Sequence, residues 1–237
     1  MAILAMQSRE SSSGKKRKVL CLHGIGTNSE MGQIFEAQTA ALRYRLGPAF
    51  EYDFIEGSYP WPAAPGIREI FGAHDMCYSY HDGSAPSALE AVQSLSEYCR
   101  DNSPYAAVMG FSSGAALAAT LLIAEAGDEG LKKEQQATFG SAIFLCSTQP
   151  YDWRELKAGR VRFLDGQDAS EAICIPTVHA WARNDKEYAE QGVKVVQMSK
   201  LAKRTEVIHN AGHGVPNHGE ALERLAVAVE RATSGLA

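Results

Sequence analysis

From Lys18 onward, apolar and polar positions fall into two textures. Short, nearly continuous apolar runs at residues 19–22, 52–55, 106–109, 142–146, 176–181 and 205–208 read as strands. Between them, residues 31–46, 87–100, 113–126, 187–201 and 217–232 carry helical patterns. Strands that alternate with helices of this length are joined by right-handed crossovers, so the pattern predicts an α/β fold with a mostly parallel, doubly covered sheet. No internal repeat is evident, and one domain over residues 18–237 accounts for the pattern. Residues 1–17 are Ser-rich and basic without lasting periodicity, and are expected to form a mobile tail. Residues 57–86 break the rhythm, because Pro60, Pro62, Pro65 and Pro86 interleave with Tyr59, Trp61, Phe71, Tyr78 and Tyr80. A loop of that length is expected to be a lid-like insertion or binding wall, the alternative being a surface excursion that packs its own aromatics.

Composition narrows the class. An apolar fraction of 45% with 22% charge belongs to an ordinary globular chain and excludes disorder and collagen-like structure. The net charge of −5 hides an asymmetry: residues 1–18 carry +4 and the remainder −9. So acidic a body is a poor nonspecific nucleic-acid binder, and no such partner is expected. Cys21, Cys77, Cys99, Cys146 and Cys174 are widely spaced and read as reduced core residues of an intracellular protein. Neither CxxC nor a Cys/His cluster suggests a metal. No run suits a secretory signal or a membrane helix, which makes the cytosol the expected compartment.

The chemistry begins at Gly110-Phe111-Ser112-Ser113-Gly114, between an apolar run and a helical stretch. This is G-x-S-x-G in a strand–turn–helix setting. A serine at the apex of so sharp a turn is strained, and glycines two residues either side remove Cβ atoms that would clash. Only Ser112 has both glycines. It is the candidate nucleophile, and the Ser113 N–H is a candidate oxyanion donor at the N-terminus of a helix. A second donor is expected from Leu22-His23-Gly24-Ile25-Gly26, with Ile25 N–H favoured and Gly26 as the alternative. His23 precedes this loop and is expected to hold it by hydrogen bonds.

With this elbow the carboxylate and the histidine follow the serine in the chain. Asp185 lies just past the run at residues 176–181 and is the favoured acid, with Asp168 second. Among the later histidines, His179 falls mid-strand and reads as a core residue. His213, between Gly212 and Gly214, sits where a loop can carry it back across the sheet. His209 and His218 invite a metal reading, but Gly212, Gly214 and Pro216 interrupt the segment and the Glu of H-E-x-x-H is missing.

Taken in order, Leu22-His23-Gly24, Phe54-Ile55-Glu56-Gly57 before Pro65-Gly66-Ile67, the Ser112 elbow, Asp185 and Gly212-His213 with Pro216 resemble the small fungal serine hydrolases. That family of α/β-hydrolases includes thioesterases that release polyketides and other small-ester hydrolases. The resemblance covers residues 18–232. It implies Ser112 as nucleophile, His213 as general base and acid, Asp185 as its orienting carboxylate, and the amides of Ile25 and Ser113 as the oxyanion hole. Two departures stand out: Ser113 replaces a frequent Gln, and Cys77-Tyr78-Ser79-Tyr80-His81-Asp82 replaces a Trp-containing segment. Both bear on the acyl pocket, for which Trp61, Tyr78, Tyr80 and Phe111 are the candidates. The expected activity is cofactor-free hydrolysis of an acyl ester or thioester in secondary metabolism. Its rivals are acyl transfer and a non-catalytic binding protein on the same fold. The basic tail alone argues for an acyl carrier protein as partner.

Overall fold

A computed structural model of the chain describes residues 15–29, 34–71, 76–127 and 138–235. In chain order its elements are β1 (Arg17–Leu22), α1 (Ile34–Leu46), β2 (Phe50–Ile55), β3 (Tyr59–Trp61), α2 (Ile67–Phe71), β4 (Cys77–Ser79) and α3 (Ala85–Asn102). There follow β5 (Ala107–Phe111), α4 (Ser113–Gly127), β6 (Ala142–Leu145), α5 (Trp153–Lys157), β7 (Thr177–Ala182), α6 (Ala189–Gln197), β8 (Arg204–His209) and α7 (Gly219–Ser234). Six strands form one sheet in the order β2-β1-β5-β6-β7-β8, and every neighbouring pair is parallel.

The continuous apolar runs follow from burial on both faces, because successive strand residues point to opposite sides. Val19 and Cys21 of β1, Ala107 and Met109 of β5, and Ile143 and Leu145 of β6 pack in one cluster with Phe35 and Leu42 of α1 and Leu225 and Val229 of α7. The intervening Leu20, Leu22, Val108 and Phe144 pack on the other face with Val92 and Leu95 of α3 and Ala118 and Leu121 of α4. Helix α4 is buried nearly all round, and its alanines let it lie close against the sheet beneath Ser112.

Several expectations are adjusted. Strand β1 starts at Arg17, whose guanidinium lies 3.9 Å from the Phe50 ring centroid and donates to Thr233 Oγ1 at 3.0 Å. That residue therefore belongs to the fold rather than to the expected tail, of which residues 1–14 lie outside the described structure. Cys174 is exposed, whereas Cys21, Cys77, Cys99 and Cys146 are buried; all five thiols are free. Residues 57–86, expected as an irregular insertion, contain α2 and an antiparallel ribbon of β3 and β4 that pairs Pro60 with Tyr78. Such three-residue strands carry too few positions to show periodicity. Among the described residues no helix is long and apolar enough to cross a membrane.

Candidate active site

The turn from β5 into α4 places Ser112 at the C-terminal edge of the sheet with a left-handed φ of 53°. Its N–H donates to Leu145 O at 2.9 Å, so the strained residue is still pinned to β6. The flanking glycines are sterically required. A Cβ on Gly110 would sit 2.5 Å from Ala115 N and Cα, and one on Gly114 would collide with the carbonyls of Leu22 and His23. The turn therefore closes only without side chains at these two positions.

His213, on the loop between β8 and α7, reaches back over this turn. The Ser112 hydroxyl donates to His213 Nε2 at 2.9 Å, and His213 Nδ1–H donates to Asp185 Oδ2 at 2.7 Å. Asp185 follows β7, and its other oxygen accepts the amides of Glu187 and Tyr188 at 3.1 and 3.0 Å. Burial alone would raise this carboxyl's pKa, but the His213 hydrogen bond and the two amides outweigh it and hold it below the usual range. The imidazole lies between the rings of Phe111 and Tyr188, at centroid distances of 5.2 and 4.7 Å. Asp168 is engaged elsewhere, pairing with Arg162 at 2.7 Å and accepting the Asp165 amide.

Two supports of the histidine loop escaped the sequence reading. Asn184 bridges it, donating to Asn210 O at 3.0 Å and accepting from Gly212 N–H at 3.2 Å. From below, the Cys146 thiol donates to Gly214 O at 3.4 Å. Cys146, Asp185 and His213 together place potential ligand atoms within 4.8 Å of one another. Burial pushes the Cys146 thiol up to about 12, which keeps it protonated and poorly suited to a cation, and the other two groups already bond to each other. His179 is a buried strand residue whose Nε2 meets Thr177 and Ser199 hydroxyls at 3.1 and 3.0 Å. The buried His209 accepts the Ala211 amide, and the exposed His218 stands at the N-cap position of α7 without a side-chain capping bond.

The loop after β1 is held from both sides. His23 is fully buried; its Nε2 accepts Gly57 N–H at 2.9 Å, and its Nδ1 lies 2.8 Å from Gly24 O. His23 N–H donates to the Tyr80 hydroxyl at 2.9 Å, which in turn donates to Ile55 O at 3.2 Å. The ribbon docks on the same loop: Gly26 N–H donates to Tyr78 O at 2.9 Å and Tyr78 N–H to Thr27 O at 2.8 Å. The Gly26 amide is thereby occupied. The Ile25 amide has no hydrogen-bond partner among the described residues, and Ile25 faces the cleft that opens over Ser112.

That cleft has a volume of about 330 Å³ and includes Ser112, His213, Trp61, Phe111, Tyr188 and Gln38 in its lining. Of the four expected wall residues, Trp61 and Phe111 line it. Tyr78 and Tyr80 do not, which corrects that expectation: Tyr78 is bound into the ribbon through its backbone, and Tyr80 is buried under the His23 loop.

The model of the FSH1 serine hydrolase family matches residues 11–225. The chain belongs to that family. It is 35% identical over 218 residues to the esterase FPY3 of Fusarium mangiferae, covering 90% of this chain and 95% of that one. The hydrolase phiM of a fungal species is 26% identical over 214 residues, covering 90% and 94%. Among solved structures, acyl-protein thioesterase 2 of Zea mays superposes with a TM-score of 0.59 at 17% identity, covering 94% of this chain and 97% of that one. A carboxylesterase from Mesorhizobium loti gives 0.58 at 16% identity, covering 94% and 90%. These structures share the α/β-hydrolase fold, and the family makes this member a serine hydrolase.

Proposed function

We propose that this FSH1 family member is an esterase that cleaves small acyl esters through an acyl-enzyme on Ser112. The observation that carries the reading is the continuous hydrogen-bonded chain from Ser112 through His213 to Asp185 at the floor of the cleft. With Nδ1–H held by Asp185, the neutral imidazole presents Nε2 as an acceptor, and His213 takes the Ser112 proton as Oγ attacks the substrate carbonyl. Asp185 stabilises the imidazolium that forms. The amides of Ile25 and Ser113 receive the developing oxyanion, each worth about 3 kcal/mol in such sites. His213 then returns the proton to the departing alcohol, and water activated by the same imidazole releases the acid.

Names of curated relatives over most of the chain, the FPY3 and FUS5 esterases, support an ester rather than a rival acceptor chemistry. The finer reading, release of a polyketide-type acyl group from a thioester in secondary metabolism, uses the same steps with sulfur as the leaving atom. It rests on family resemblance. A carrier-protein partner rested on the basic tail, which finds no echo in the relatives' names, and it forms no part of the proposal. The test is kcat/KM for matched oxygen esters and thioesters of one acyl series, with Ser112→Ala beside the wild type. Ser112→Ala should lose roughly 10⁴-fold or more in kcat on every substrate while keeping its melting temperature. Retained turnover in that variant would overturn the assignment, and a ratio favouring the thioester would decide for the finer reading.

A further inference from the structure

Helix α1 turns a stripe of side chains toward the interior, and Ile34 and Leu42 on that stripe are fully buried. Gln38 lies midway between them at the same four-residue spacing, where an apolar residue is the usual choice. Its side chain lines the cleft over Ser112, beside a wall built largely of Trp61, Pro62, Ala63, Ala64 and Pro65. Its Oε1 is shut off from solvent and has no hydrogen-bond partner among the described residues. A buried acceptor left unpaired destabilises the free protein, and a donor that enters the cleft removes that penalty once the flexible Gln38 amide turns to meet it.

We infer that Gln38 is a specificity-determining residue that recognises a hydroxyl on the acyl group, so that the preferred substrates are hydroxyacyl esters. A hydroxyl both donates and accepts, so it can be met by either end of the amide. An apolar pocket accepts plain and hydroxylated chains with little distinction, whereas a site containing an unpaired polar group discriminates against the chain that cannot pair it. The inference rests on the hydrolase reading above and adds the chemistry of the chain that Ser112 receives.

The experiment measures kcat/KM for p-nitrophenyl esters of a straight-chain acid, of the same acid with one hydroxyl at successive carbons, and of methyl-branched size controls. In the wild type one hydroxyl position should be preferred over the plain chain by about tenfold, and the methyl at that position should not be. In Gln38→Leu and Gln38→Met that ratio should fall to near one. Their melting temperatures should not drop, since an unsatisfied acceptor has been removed. A ratio unchanged in both variants, or no preferred hydroxyl position in the wild type, overturns the inference. Labelling of wild-type Ser112 with a fluorophosphonate separates the two readings. Labelling without hydroxyl preference removes the Gln38 inference alone, and absence of labelling removes both.

Discussion

Asp185 shows how one side chain is fixed for the role proposed for it by what touches each of its oxygens. One oxygen holds His213 and the other accepts two amides, so the carboxylate cannot rotate away. Asp185→Asn keeps the shape but supplies an NH₂ group where the imidazole needs an acceptor, and should lower kcat by about 10³–10⁴-fold. Asp168→Asn disturbs only a surface pairing with Arg162 and the turn hydrogen bond from the Asp165 amide, and should change kcat/KM by less than about twofold. Steady-state kinetics of the two variants side by side check both, and the opposite ranking would move the acid. Ser112, Asp185 and His213 were legible in the sequence because glycine spacing and strand ends leave marks that a single chain displays. Asn184 and Cys146 left no such mark, because each acts through a contact made only when distant segments meet.

Between elements, the decisive contact is the ribbon of β3 and β4 against the loop after β1. The prolines and aromatics of residues 57–86 announced an unusual segment, but not which rings face the cleft and which lie beneath it. Tyr80 braces the His23 backbone, so Tyr80→Phe leaves a buried N–H without its partner, at a cost of about 1–3 kcal/mol. The melting temperature should fall, and kcat/KM should drop by similar factors for short and long acyl esters as the Ile25 loop loosens. Trp61 lines the cleft and is only partly buried. Trp61→Ala should therefore change the ratio of kcat/KM between a long and a short ester by roughly tenfold, with a smaller effect on melting. Equal loss on both esters for Trp61→Ala would make its ring a packing element.

Over the full chain, the parallel strands gather their C-terminal ends along one edge. Ser112 after β5, Asp185 after β7 and His213 after β8 meet there although they are distant in sequence. The alternation of strand and helix was enough to read this architecture. The short ribbon and α5 were not readable, since a few residues give no period. The same compactness ties stability to pH through His179. Burial holds its imidazole neutral in the fold down to about 3, with the Arg204 charge adding to the effect. The unfolded chain takes up that proton near its ordinary value of roughly 6.5, so the unfolded state binds more protons between these limits. Stability is thus complete above that window and is lost as pH falls through it. Urea unfolding at neutral pH and near pH ~5 should show a loss on acidification that is smaller by about 1–2 kcal/mol in His179→Asn than in the wild type. The proposed chemistry itself is most directly put at risk by peptide mapping after fluorophosphonate treatment. A single adduct on Ser112, absent in Ser112→Ala and still present in Ser113→Ala, is the expected result; an unlabelled protein, or an adduct on Ser113 instead, would contradict it.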